Sequence, residues 1–329
     1  MRHIRELTGA AVLALFVATC GGATVPSPTP VPATPAPTAS PSPAPATPLP
    51  AAVLDPSMTA EALFDDDVAA EDLGLTERSR ESRDAAVIRD VDYTGADGGP
   101  VPAFLIEPAI GTPRAGILFL HWLGDDFSSR DEFVDEAVSL AGQGVESMLV
   151  TQHFPWSERP TGVDHDRVAI GLQVRTIRRA LTLLASDVGA VKVAIVGHDY
   201  GAMYGILAAS VDPRPAALVC MTPDSTWVNW FVTYFHVVDA SDAAGYAQAM
   251  ADLDPVTRIA DVKAPVLLQF GTADSYVTGE VAHALGVAAP GGTLSHSYEA
   301  GHLLNVNARR DRDPWLLDEL GLPAPAASP

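Results

Sequence analysis

The chain has 329 residues, 47% of them hydrophobic, and a formal charge of −21 at neutral pH. Acidity of this size argues against nucleic acid as a partner and against electrostatic adhesion to anionic lipid. The two cysteines, Cys20 and Cys220, do not make a disulfide framework.

Residues 1–19 read as a secretory signal: Arg2 and Arg5 supply the positive start, and Ala10 to Ala18 form an apolar run. That run is shorter than the roughly 20 residues a membrane span requires. The stretch Val17-Ala18-Thr19-Cys20-Gly21-Gly22 resembles the lipobox of bacterial lipoproteins. This resemblance implies acylation of Cys20 and a lipid anchor on the outer face of the cytoplasmic membrane, the membrane contact otherwise being absent. From 25 to 50 proline alternates with Ala, Thr, Ser and Val, which favours polyproline II, so 20–55 is expected to be a disordered tether. Residues 56–83 read as a lead-in, its acidic stretch Asp65-Asp66-Asp67 and Glu71-Asp72 expected to be solvated.

Beyond it, short apolar runs alternate with longer amphipathic stretches, the pattern of a mostly parallel sheet covered on both faces. Eight strands are predicted, at 86–93, 101–107, 115–121, 146–151, 192–197, 216–221, 265–270 and 293–298. The clearest helix follows Asp166, where Ile170, Val174, Ile177, Leu181 and Leu184 recur at helical spacing and Arg175, Arg178 and Arg179 avoid the stripe. Others are predicted from near 130 to 142, over 201–209, over 277–285 and near 314–320. Residues 223–254 break the rhythm and concentrate aromatics: Trp227, Trp230, Phe231, Tyr234, Phe235 and Tyr246. As a short cap after the sixth strand, this segment either lines a pocket with Trp227, Trp230, Tyr234 and Tyr246 or packs them on the body.

Chemistry concentrates at Gly197-His198-Asp199-Tyr200-Gly201, between a buried strand and a small-residue helix. Glycines two before and two after a central residue permit the sharp turn that exposes its side chain at a helix N-terminus. Downstream, the run 267–274 ends in Asp274 and the run 298–302 ends in His302. This order resembles the α/β-hydrolase superfamily, which places nucleophile, acid and histidine in that sequence. The resemblance implies an α/β-hydrolase domain over 84–322, followed by a tail at 323–329, with Asp199, Asp274 and His302 as the catalytic set. It also implies an oxyanion-binding pair from the Tyr200 N–H and that of Trp122 or Leu123. His121 is then expected to organise the loop at the pocket's edge, and His198 to point away from the nucleophile.

Aspartate stands where most of the superfamily has serine. A carboxylate attacking a carbonyl gives a high-energy anhydride, whereas attack on saturated carbon gives an alkyl ester that water activated by His302 can hydrolyse. The elbow thus looks like that of epoxide hydrolases and dehalogenases, which implies a small-molecule epoxide or halide substrate. The overall build looks more like the dienelactone-hydrolase branch, which implies carboxylester or lactone hydrolysis. A catalytically silent ligand-binding lipoprotein is the third reading. No cofactor and no metal is expected, because Asp164-His165-Asp166 opens a helix where Asp166 complements the N-terminus, and the other histidines lack ligand spacing. Cys220 lies in an apolar run as a buried thiol. Ser225 and Ser275 are not flanked by an elbow's glycines.

Overall fold

The computed structural model describes residues 49–122, 129–152, 162–188, 192–234, 236 and 238–323. The chain divides into two compact units, Met1–Ala44 and Pro45–Pro329, and every described residue belongs to the second. The expected signal, Cys20, most of the tether, Leu123, Phe235 and the last residues of the tail lie outside the described residues.

Helix α1, Ala60–Phe64, is capped by the Thr59 side chain and buries Leu63 and Phe64 completely. The sheet opens with β1, Thr76–Arg83, β2, Ala86–Thr94, and β3, Pro100–Pro108. It continues with β4, Ala115–Leu120, then helix α2, Val134–Ala141, and β5, Val145–Val150. Helix α3, Val163–Asp187, leads to β6, Val193–His198, helix α4, Tyr200–Val211, and β7, Pro215–Met221. After an insertion containing a π-helical turn, Asn229–Tyr234, and helix α5, Ala243–Met250, come helix α6, Pro255–Arg258, and β8, Val266–Gly271. Helix α7, Gly279–Ala288, β9, Leu294–Tyr298, and helix α8, Val306–Glu319, complete the body.

The nine strands form one sheet in the order β1-β2-β3-β5-β4-β6-β7-β8-β9. The first three and β5 pair antiparallel, and from β5 through β4 to β9 the pairing is parallel. Alternation along the strands divides the core. Leu118 and Leu120 face α3 and α4 with Ile195, while Ile117 and Phe119 face α2 and α8 with Ala194 and Val196. Strands apolar on both faces are what a sheet covered by helices on both sides demands.

Four expectations are corrected. The sheet has nine strands and not eight: β1, with sequence TERSRESR, is exposed at every position and carries no apolar signal. It pairs by backbone with β2, and Arg78 reaches Asp92 at 3.2 Å while Glu77 reaches Arg89 at 2.7 Å. Residues 56–83 are therefore part of the folded body and not a lead-in to it. The acidic stretch is not simply solvated either, because Asp66 pairs with Arg179 at 2.8 Å and both side chains are buried. The helix of 314–320 starts earlier, at Val306, because Asn305 caps it through the amides of Asn307 and Ala308.

Candidate active site

The turn between β6 and α4 places Asp199 at φ +52° and ψ −114°. A non-glycine residue holds such a conformation only where its surroundings over-determine it. Here the Asp199 N–H donates to Met221 O at 2.8 Å, and its carbonyl accepts the Met203 N–H at 2.9 Å. The flanking glycines allow the backbones to meet: a Cβ on Gly197 would lie 2.4 Å from Gly201 O, and one on Gly201 only 2.1 Å from Leu120 O. The elbow is thus pressed against the end of β4.

Two loops at the same end of the sheet bring the partners. Asp274, just after β8, accepts the Tyr276 and Val277 amides through Oδ1 at 2.8 and 3.1 Å. Its Oδ2 lies 2.8 Å from His302 Nδ1, and the other ring nitrogen, Nε2, stands 3.7 Å from Asp199 Oδ2. Burial alone would lower His302, but Asp199 and Asp274 on either side outweigh it and push the imidazole up to about 9. Burial likewise works against the charge on Asp274, yet His302 and the two amides hold it below the usual carboxylate range. Asp199 moves the other way. It is 1% exposed, and burial raises it despite the nearby His302, His198 and Tyr200 amide. The structure therefore brings Asp199, His302 and Asp274 together, with a strong acid partner and a strengthened base facing one another.

The oxyanion side is built differently from the expectation. The Trp122 N–H donates to Glu132 Oε2 at 3.0 Å, and Glu132 Oε1 holds His198 Nδ1 at 2.5 Å. His198 Nε2 lies 3.1 Å from the carbonyl of His302, to which Thr222 Oγ1 also donates at 3.3 Å. Both ring nitrogens of His198 thus face acceptor oxygens. Its ring stacks on Trp122, centroids 5.5 Å apart. His121 is buried, with Nδ1 2.7 Å from Trp122 O and Nε2 3.0 Å from the Gln152 N–H. The amide makes Nε2 an acceptor, so Nδ1 carries the proton and the ring stays neutral, in line with its burial-lowered pKa. Of the expected oxyanion amides that are described, that of Tyr200 faces Asp199 and that of Trp122 is taken by Glu132.

The aromatic residues of the insertion divide by position. Trp227 is fully buried and donates its Nε1–H to Leu253 O at 2.8 Å, and Tyr246 donates to Asp166 Oδ2 at 2.8 Å. These two fasten the insertion to the body. Trp230 and Tyr234 lie over the site instead, Trp230 6.2 Å from His302 and Tyr234 5.6 Å from Tyr276, ring centroid to centroid. Tyr276, whose ring is 5.2 Å from His302, and Glu132 escaped sequence reasoning. Glu132 sits in an unremarkable acidic stretch before α2, and only the fold brings it under the elbow. Asp224, three residues past β7 and fully buried, also went unnoticed.

No protein-family model and no curated protein sequence matches the chain. Solved structures do. An acetyl xylan esterase from Paenibacillus sp. R4 is 17% identical, with a TM-score of 0.61 over 79% of this chain and 91% of that one. Acetyl xylan esterase 1 from Thermoanaerobacterium sp. JW/SL YS485 is 13% identical, with a TM-score of 0.61 over 74% of this chain and 87% of that one. A 2,6-dihydroxy-pseudo-oxynicotine hydrolase is 19% identical, with a TM-score of 0.53 over 70% and 68%. These likenesses establish the α/β-hydrolase fold.

Proposed function

We propose that the protein is a hydrolase of a small organic ester or lactone, in which Asp199 takes a proton from water and His302 gives one to the leaving alcohol. The observation that carries this reading is the facing pair. Asp199 Oδ2 and His302 Nε2 are 3.7 Å apart, too far to bond directly, yet suited to meet the attacking and leaving oxygens of one tetrahedral carbon. Their environments push them in the useful directions, burial making Asp199 a better base and the two carboxylates keeping His302 protonated up to about 9. The water oxygen bonds to the carbonyl carbon, its proton passes to Asp199, and the carbon–oxygen bond breaks as His302 protonates the alkoxide. Proton transfer from Asp199 back to His302 resets the site. Two of the structural neighbours are named as esterases, which supports the same substrate class.

The elbow favours a second reading. A glycine-flanked carboxylate held at positive φ is presented as a nucleophile is, and could attack saturated carbon in an epoxide or halide. Esterifying Asp199 would remove its charge, so His302 would lose one of the two groups that raise it and become the base for hydrolysis. A single turnover in ¹⁸O water separates the readings. With p-nitrophenyl acetate the ester reading expects label in acetate and none in Asp199. Label in the Asp199 carboxyl after styrene oxide would hand the site to the second reading, and no turnover of either would leave a silent fold.

An extracytoplasmic location with a lipid anchor on Cys20 is part of the same proposal, supported by the sequence of residues 1–22. Palmitate labelling of the full chain expressed in bacteria should require Cys20, and labelling that survives Cys20→Ala would remove the anchor.

A further inference from the structure

Asp224 lies on the loop after β7, among the residues that hold the site. Three residues before it, Met221 O accepts the Asp199 N–H at 2.8 Å, and two before it, Thr222 Oγ1 donates to the His302 carbonyl at 3.3 Å. Its Oδ1 is fully engaged, accepting the Ser225 N–H at 2.5 Å, the Thr226 N–H at 3.1 Å and Asn229 Nδ2 at 2.9 Å. Asn229 opens the turn that carries Trp230, whose ring is 5.1 Å from Tyr200 and 6.2 Å from His302. Oδ2, on a residue with no exposure at all, has no hydrogen-bond partner among the described residues. A buried polar atom left so is costly unless a ligand completes it.

Among the described residues, the reaction proposed above lacks one part. The negative charge that develops on the carbonyl oxygen needs two donors, and of the expected pair the Trp122 N–H is committed to Glu132. We propose that protonated Asp224 supplies the second donor, its Oδ2–H hydrogen-bonding the substrate's carbonyl oxygen beside the Tyr200 amide. This rests on the ester reading and makes Asp224 a catalytic residue of it. No covalent step occurs at Asp224, and its proton stays in place while the oxyanion forms and collapses. A carboxylic acid kept neutral by its surroundings is an effective donor to an oxyanion. Burial first, and then the facing carboxylate of Asp199, push Asp224 up to about 6 against its three donors. The other titratable groups facing it are Tyr200 on the elbow, Tyr234 on the π-helical turn and Asp254 at the start of α6.

The donor form is lost as pH rises, so the signature is an alkaline limb. For benzyl acetate, whose leaving alcohol needs a proton, kcat/KM of the full chain should fall about tenfold per unit above pH ~6. In Asp224→Asn the three donors keep the amide oxygen at the Oδ1 position, which leaves the amide N–H₂ where Oδ2 was. This variant should keep activity within about threefold of the wild-type maximum and hold it to near pH 9, where His302 loses its proton. Asp224→Ala, lacking any donor, should stay about 100-fold below the wild-type maximum and show no limb at pH ~6. The proposal is overturned if Asp224→Asn keeps the wild-type limb, or loses activity throughout with an unchanged Tm. If Asp224→Asn does not fold, a wild-type profile flat from pH 5.5 to 7.5 overturns it equally. A wild type inert to benzyl and p-nitrophenyl acetate fails the ester reading itself, and that result appears before any variant is made.

Discussion

At Asp199 the backbone and the side chain make opposite demands on stability. The positive φ and the buried carboxylate both cost free energy, and the site retains them through backbone bonds to Met221 and Met203 and through His302. Removing the charge should relieve the fold and stop the chemistry. Asp199→Asn is expected to lower kcat by about 10³-fold and to bring the His302 pKa down from about 9, read by histidine NMR, while the melting temperature stays level or rises. The glycines work in the reverse sense: Gly201→Ala puts a methyl 2.1 Å from Leu120 O and should cost about 2 kcal/mol or more in urea unfolding. This scale is also where the sequence was most readable. Glycine spacing and chain order marked Asp199, Asp274 and His302, because an elbow has a fixed local grammar. Glu132 and Asp224 have none, since their partners come from loops far away in the chain.

Among the elements, those with apolar periodicity were legible and those held by charge were not. Strands β4 to β8 are buried runs, and α3 keeps its stripe of Ile170, Val174, Ile177, Leu181 and Leu184. Strand β1 reads as solvent because every side chain is exposed, and its charged residues blunt an edge that would otherwise template pairing with another chain. The arginines off the apolar stripe of α3 do not simply face solvent. Instead Arg175 donates to Leu63 O at 2.7 Å, Arg178 to Phe64 O at 2.6 Å, and Arg179 to Gly95 O at 2.6 Å beside its pair with Asp66. Breaking one partner of a buried pair strands the other, so Arg179→Ala should cost about 3–5 kcal/mol in denaturant unfolding.

Over the whole molecule, several carboxyls titrate high in the folded state. Burial, with the charge of Asp187 next, pushes Glu146 up to about 8. Burial also brings Asp254 and Asp313 to about 7. Acids raised above their unfolded value near ~4 bind more protons folded than unfolded, so the stability they support is present at low pH and lost as pH rises. The melting temperature is therefore expected to fall between pH 5 and 8, in the direction that the growing net negative charge also drives. Glu146→Gln should flatten much of that slope, and a Tm that climbs over this range would show the assignment to be wrong.

The guanidinium groups of α3 also set the route by which force enters the body. Arg167 donates to Pro56 O at 2.7 Å and Met58 O at 2.8 Å, ahead of the bonds to Leu63 and Phe64. A pull on the chain from the amino-terminal side of residue 56 would thus load this row of bonds together, in shear along α3, before any tension reached β1. A strand end that would otherwise peel like a zipper is moored upstream.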